Sequence, residues 1–232
     1  MENKNNVDLS QLPDPDVPPI KEDYRTTFPW RIFKIMAEFI EGFEFITDFK
    51  EKSATIWGGT RVDPNDYYYK EAEKLGKLLS GEGYAVVSGG GPGIMEAANK
   101  GAFEAKGNSV GINIQLPEGQ RTNKFVNRKI GFHYFFTRKV MMSMASSVYV
   151  FFPGGYGTLD EFFEMIMLSQ TQKFSHDVFI IVVGKDYWEP LYDWISKEIY
   201  EKRKAIDKKD LDIFKIVDNA EEAIELIKKN NK

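Results

Sequence analysis

Cysteine is absent from this 232-residue sequence, and histidine occurs only at His133 and His176. The first absence removes disulfides, iron–sulfur clusters and thiolate zinc sites. The second speaks against a histidine metal site and against a Ser-His-Asp triad, so neither a metal nor a cofactor is expected. A surplus of basic charge is also missing: 31 Lys and Arg face 35 Asp and Glu, for a net charge of −4. Nothing is therefore left over to neutralise phosphates, and no nucleic-acid partner is expected. The basic stretch Lys202-Arg203-Lys204, followed by Lys208-Lys209, is broken by Asp207 and Asp210 and reads as a solvated helix end. Long aliphatic runs are lacking as well. The longest, Val178 to Val183, is far too short to span a bilayer. The segment Met1 to Pro19 is polar, without the apolar centre of a signal peptide. The expectation is a cytoplasmic enzyme or binding protein with no membrane partner.

What is present suits one large α/β domain, since 42% of the residues are hydrophobic and 14% aromatic, enough to bury a substantial core. Residues 1–22, with their Asn, Asp and Pro, read as a loose arm. From Pro29 to Phe49 apolar residues recur at helical spacing, with Gly42 a candidate interruption. So aromatic a helix must bury itself against the main domain or another subunit. Residues 1–50 are thus expected to be an N-terminal arm and amphipathic helix, and residues 51–232 the main domain. Short apolar strands are predicted at 54–57, 84–87, 109–114, 148–152, 178–183 and 214–217. Helices are predicted at 66–79, 92–105, 138–145, 159–170, 188–202 and 220–229. This alternation predicts a Rossmann-like, doubly wound parallel sheet with helices on both faces, which binds ligands beyond the carboxyl ends of its strands.

Glycines cluster where ligands of such a sheet bind: Gly58-Gly59, Ser88-Gly89-Gly90-Gly91-Pro92-Gly93, and Gly154-Gly155-Tyr156-Gly157. Each cluster follows a predicted strand and precedes a helix, so its backbone amides can converge on an anion. The alternative is that these glycines only make tight turns, which is the reading preferred for Gly58-Gly59. The dinucleotide spacing G-x-G-x-x-G fails in both longer clusters, its third position falling on Ile94 or Asp160, and no Gly-Lys-Ser/Thr triplet is present. The turns suit a smaller phosphate, such as a nucleoside monophosphate.

Pro153-Gly154-Gly155-Tyr156-Gly157-Thr158-Leu159-Asp160-Glu161, with Arg138-Lys139 upstream and Ser88 to Glu96 as a second motif, resembles the signature of the Lonely Guy family. Its members are cytokinin riboside 5′-monophosphate phosphoribohydrolases, long described as lysine decarboxylases. The resemblance covers roughly Ala54 to Val183. The aromatic N-terminal helix and the stretch Gly111 to Pro117 resemble the longer bacterial branch. It implies cleavage of the N-glycosidic bond of AMP or an N6-modified AMP to free base and ribose 5-phosphate. Arg138 and Glu161 stand at the family's catalytic positions, and Gly154, Gly155, Gly157 and Thr158 at its phosphate-binding turn. Asp160 departs mildly from the Glu that many members have there. The same superfamily includes molybdenum-cofactor carriers and nucleotide sensors, which would keep the glycine turns without needing Glu161.

A carboxylate near C1′ can stabilise an oxocarbenium-like ribose or activate water, and Glu161 is the candidate. Its other reading is structural, because Thr158-Leu159-Asp160-Glu161 has the pattern of a capping box. Arg138 near a helix start is unfavourable to that helix, so it is expected either to serve substrate or leaving base, or to form a surface ion pair. Gly90, Gly91, Glu96 and Lys139 are further candidates for ribose or base, with Asn113 and Gln115 at the end of the third strand. The run Phe132 to Phe136 is expected to pack mostly in the core. On the helix after Thr158, the row Leu159, Phe162, Phe163, Ile166, Met167 is expected to face the sheet, with Met165 and Leu168 beside Glu161. A helix apolar nearly all round suggests a homodimer with the site near the interface, or coverage by the N-terminal helix of the same chain.

Overall fold

The computed structural model describes residues 28–115, 122–174 and 177–230. The expected N-terminal arm, His176 and the Leu116-Pro117 end of the third-strand stretch lie outside them. Seven strands, β1 (Ser53–Trp57), β2 (Ala85–Ser88), β3 (Ser109–Ile114), β4 (Arg128–Phe132), β5 (Val148–Phe151), β6 (Phe179–Val183) and β7 (Phe214–Val217), form one sheet in the order β4-β3-β2-β1-β5-β6-β7. Every neighbouring pair is parallel. The helices are α1 (Phe28–Thr47), α2 (Tyr67–Gly81), α3 (Ile94–Glu104), α4 (Phe135–Met144), α5 (Tyr156–Gln170), α6 (Lys185–Trp194) and α7 (Ala220–Asn230). The strand order reverses between β1 and β5, so the doubly wound expectation holds, and the crevice for a ligand opens beyond those two strands.

Strand residues alternate between two cores. Ala54, Ile56, Val86, Val150 and Ile181 meet α2, α3 and α7 on one face. Val87, Ile112, Tyr149, Phe151 and Val182 meet α4, α5 and α6 on the other, where Phe39, Phe45 and Ile46 of α1 also pack. Gly42 does not interrupt α1. A Cβ there would stand 2.6 Å from Met141 of α4, so glycine is what lets the helices touch. Only one flank of α1 is covered, however, and Phe33, Met36, Ile40 and Phe43 stay exposed.

Other boundaries differ from expectation for physical reasons. β4 has no counterpart in the predicted strands. As an edge strand it buries only Phe132 fully, so Arg128-Lys129-Ile130-Gly131 lacks an apolar run. Pro92 lies before α3, whose N-cap is Gly93 at φ 68°. The predicted helix at 188–202 starts at Lys185 and passes into wider π-type turns from Ile195 to Lys202. Of the aromatic run, only Phe132 is in the core; Phe135 and Phe136 are exposed, because α4 turns them away from the sheet.

Helices α2 and α3 meet backbone to backbone. A Cβ on Gly76 would fall 2.2 Å from the Ala98 carbonyl oxygen, and one on Gly101 1.8 Å from that of Glu73. Neither backbone atom can step aside as a flexible side chain could. Gly101→Ala is therefore expected to destabilise the fold by about 2–3 kcal/mol through overpacking. Gly81→Ala, where a Cβ would meet no atom within 4 Å, should be neutral or slightly stabilising. Urea midpoints of the two variants measure the contrast.

Candidate active site

The three glycine turns are latched to one another at the switch point. The Gly59 amide donates to the Pro153 carbonyl at 2.9 Å, and the Gly59 carbonyl accepts from the Ile94 amide at 3.0 Å. Gly59 thereby joins the ends of β1 and β5 to the start of α3. The Tyr187 hydroxyl of α6 donates to the Gly154 carbonyl at 2.8 Å and holds the third turn from its other side. The middle turn is braced by a buried polar network. Ser88 Oγ donates to Asn99 Oδ1 at 2.6 Å and accepts from the Gly90 amide at 2.9 Å. Asn123 Nδ2 donates to the Gly91 carbonyl and to Asn99 Oδ1, each at 3.0 Å. Asn99, Asn123 and Tyr187 were not among the candidates. A clue for Asn99 was a polar residue on the apolar face of α3.

The glycines of the third turn divide by what fills the space around them. Gly154 is required by the protein itself, since a Cβ there would lie 2.2 Å from Thr158 Oγ1. At Gly155 and Gly157 a Cβ would meet no atom within 4 Å, and Gly155 has φ −94°, which any residue adopts. Nothing inside the fold demands glycine at these two positions. The α5 first turn also lacks a side-chain cap and an acidic residue, leaving its amides available to an anion.

Thr158 and Glu161 are not a capping box. Helix α5 begins at Tyr156, so Thr158 is its third residue and Glu161 lies in the second turn. Glu161 is 6% exposed and faces Arg138, itself 8% exposed, with Arg138 Nη1 at 3.4 Å from Glu161 Oε1. The inward row of α5 is Thr158, Glu161, Phe162 and Met165. Phe163 and Met167, expected against the sheet, are 41% and 49% exposed. Phe162 is buried as expected, and Leu159 and Ile166 pack against the same core; the apolar pattern misses the rest of the inward row because two of its side chains are polar.

Arg138 is held at two of its guanidinium nitrogens and packed against the middle glycine turn at the third. Nε donates to the Ile112 carbonyl at 3.0 Å, and Nη2 lies 2.7 Å from where a Cβ of Gly89 would stand. Gly89 is glycine because the arginine fills that space. Burial lowers the Arg138 pKa, and Glu161 offsets part of the effect. Burial also pushes the Glu161 carboxyl up to about 7, with Arg138 pulling the other way. The pair thus places a carboxyl with a near-neutral pKa beside the middle glycine turn, at the carboxyl ends of the strands. Such a group can both take up and release a proton at neutral pH.

The remaining candidates sit apart from this pair. Lys139 points to the outer side, where it pairs with Asp160 at 2.8 Å and Glu164 at 3.2 Å, tying α4 to α5. Glu96 is half-buried and accepts from Tyr69 Oη at 3.3 Å on the α2 side. Asn113 Nδ2 lies near Gly90 and 3.5 Å from Thr122 Oγ1, and Gln115 Oε1 is 3.0 Å from His133 Nδ1. Among the described residues no group of three or more His, Asp or Glu could hold a metal ion. No helix among them is long and apolar enough to cross a membrane.

The raised Glu161 pKa has a signed consequence for stability. The folded protein holds this proton more tightly than the unfolded chain, so the cost of ionising Glu161 is absent below about pH 4.5 and complete above about pH 7. Relative to Glu161→Gln, the wild type should lose on the order of 3 kcal/mol between those limits. Urea denaturation of both proteins from pH 4.5 to 8 checks it; parallel stability curves would contradict a buried, ionisable Glu161.

Comparison with known proteins places the chain in a family. The family model described as "Possible lysine decarboxylase" matches residues 95–227, more than half of the chain. A probable cytokinin riboside 5′-monophosphate phosphoribohydrolase of Oryza sativa subsp. japonica is 29% identical over 151 residues, which are 63% of this chain and 60% of that protein. The chain therefore spans less than two thirds of that relative's length. A cytokinin riboside 5′-monophosphate phosphoribohydrolase of Rhodococcoides fascians is 24% identical over 65% of this chain and 77% of its own. The solved structure of the molybdenum cofactor binding protein from Rippkaea orientalis shares the fold, with a TM-score of 0.59 at 24% identity over 80% of this chain and all of that one. The chain belongs to the lysine-decarboxylase-like, or Lonely Guy, family.

Proposed function

We propose that this protein hydrolyses the N-glycosidic bond of a nucleoside 5′-monophosphate, AMP or an N6-modified AMP such as a cytokinin nucleotide, without a cofactor. The observation that carries this reading is the buried Arg138–Glu161 pair beside glycine turns joined at the switch point. In it, the 5′-phosphate rests on the open amides of Gly155 to Thr158, with Gly154 and Thr158 shaping the turn. Ribose and base extend toward Gly90 and Gly91. The C1′–N bond breaks as positive charge grows on the ribose, which the Glu161 carboxylate stabilises. Water adds at C1′ and gives a proton to Glu161, while the base leaves with the bonding electron pair and takes up one proton from solvent. Glu161 then releases its proton to solvent, so the products are free base and ribose 5-phosphate and the carboxylate is restored. With its guanidinium braced by Ile112 and Gly89, Arg138 is suited to holding the carboxylate and offsetting charge on the leaving base. The phosphoribohydrolase names of the relatives agree with this chemistry.

Incubation with AMP and isopentenyl-AMP, followed by chromatography of the free base, tests the proposal. Release of base is expected, with Glu161→Gln lowering kcat by at least about 10²-fold while AMP still binds. The ionised carboxylate is the working form, so kcat/KM should fall on the acid side with an apparent pKa of about 7. Binding without turnover would favour the carrier or sensor reading, and no base from any common 5′-monophosphate would overturn the hydrolase.

The second element of the proposal is a homodimer through the outer row of α5. Tyr156, Leu159, Phe163 and Met167 form an open groove with Lys139, Asp160 and Glu164 at its rim. The rim charges are paired within the chain, Lys139 with Asp160 and Glu164, so the apolar centre can meet its own copy across a two-fold axis without an unpaired charge at the seam. Light scattering is expected to give a dimer for the wild type and a monomer for Phe163→Asp. A wild-type monomer would refute this arrangement.

A further inference from the structure

We propose that Glu38 of the N-terminal helix is a positioning residue for Arg138, acting from outside the segment that the family model matches. The inference rests on the hydrolase reading for its activity readout but has a second readout that does not. Helix α4, which carries Arg138, begins badly on its own. Its N-cap is Tyr134, which makes no side-chain cap bond, and its first turn has no acidic residue. Arg138 adds a cation to the positive end of the helix. The missing negative charge comes from α1. Glu38, 8% exposed, accepts at Oε1 from the His133 amide at 2.8 Å. At Oε2 it accepts from the Tyr134 amide at 3.3 Å and the Thr137 hydroxyl at 2.6 Å.

One carboxylate therefore ties together the end of β4, the N-cap of α4 and the residue immediately before Arg138. Its position along α1 is fixed by Gly42, one turn further on, where the helices meet most closely. The bonds of Arg138 to the Ile112 carbonyl and Glu161 depend on where the first turn of α4 sits over the sheet. Without Glu38 nothing else in that turn supplies a cap, and the turn is expected to fray or shift. Glutamine cannot replace it. An amide offers one accepting oxygen, and whichever way it turns, its NH₂ faces a backbone N–H, that of His133 or that of Tyr134.

Glu38→Gln is expected to keep the fold, judged by circular dichroism and thermal melting, to lower kcat for AMP by 10- to 100-fold, and to leave KM within about 3-fold. Phe39→Ala trims α1 packing on the sheet without touching the carboxylate, and should lose stability but keep kcat. The second readout needs no substrate: the Arg138 Nε–H resonance, identified by its loss in Arg138→Lys, should be protected from exchange in the wild type and unprotected in Glu38→Gln. If the wild type turns over no nucleotide, the hydrolase reading fails and this resonance alone decides the positioning role. A folded Glu38→Gln protein with wild-type protection of that resonance overturns the proposal, as does one with wild-type kcat.

Discussion

A guanidinium taken out of water must be surrounded by groups that replace its hydration, and much of the site is built as that replacement for Arg138. The carbonyl of Ile112 takes Nε, the carboxyl of Glu161 faces Nη1, and Gly89 gives up its side-chain volume to Nη2. These partners come from β3, α5 and the turn after β2, elements far apart in sequence that meet at the carboxyl edge of the sheet. A buried ion pair contributes little net stability, yet breaking it by removing one partner is costly. The arrangement is thus poor as a stabiliser and effective as a specification of where those elements must lie.

The same constraint explains Glu161. A carboxyl buried this deeply would favour its neutral form outright; the arginine restrains that tendency, and the balance falls at about 7. Burial and the neighbouring cation act in opposite directions, and neither alone leaves the group poised at neutral pH. The glycine turns need no such balance. They are fixed by backbone bonds through Gly59 and by Tyr187, so the glycine end of the crevice is held by hydrogen bonds and the titrating end by a balance of burial and charge.

The doubly wound parallel sheet and the place of the glycine turns at its carboxyl edge were legible in the sequence, because strands alternate with helices and glycine follows β1, β2 and β5. Where the reading failed, the reason was tertiary. Arg128 to Phe132 pairs as a parallel edge strand without an apolar run of its own. The Tyr156-Gly157 start of α5 has low helix propensity and read as loop, but the latched turn beneath it fixes the first helical residues. Glycine itself was ambiguous. Gly89, Gly101 and Gly154 are needed by neighbouring atoms, whereas Gly155 and Gly157 are needed by none in the fold. The letter is the same in both cases, and only the surrounding atoms tell them apart.

The misassigned face of α5 is informative for the same reason. Apolar periodicity pointed to Leu159, Phe162, Phe163, Ile166 and Met167 as the inward row; Phe162 is in the core with Leu159 and Ile166 against it, yet the chain also buries Thr158 and Glu161 and leaves Phe163 and Met167 half in water. Local pattern and global structure conflict in this way where function or assembly has claimed a position. Glu161 at a core-facing position has a cost in stability above neutral pH, and an exposed aromatic row has a cost in solubility. A second subunit over the outer row would remove the latter cost and close the outer side of the helix that carries Glu161. With the proposed dimer, the two departures from pattern would share one explanation: α5 would stand as a wall between the candidate site and the second copy, with Thr158 and Glu161 on its inner side and Phe163 and Met167 on its outer side.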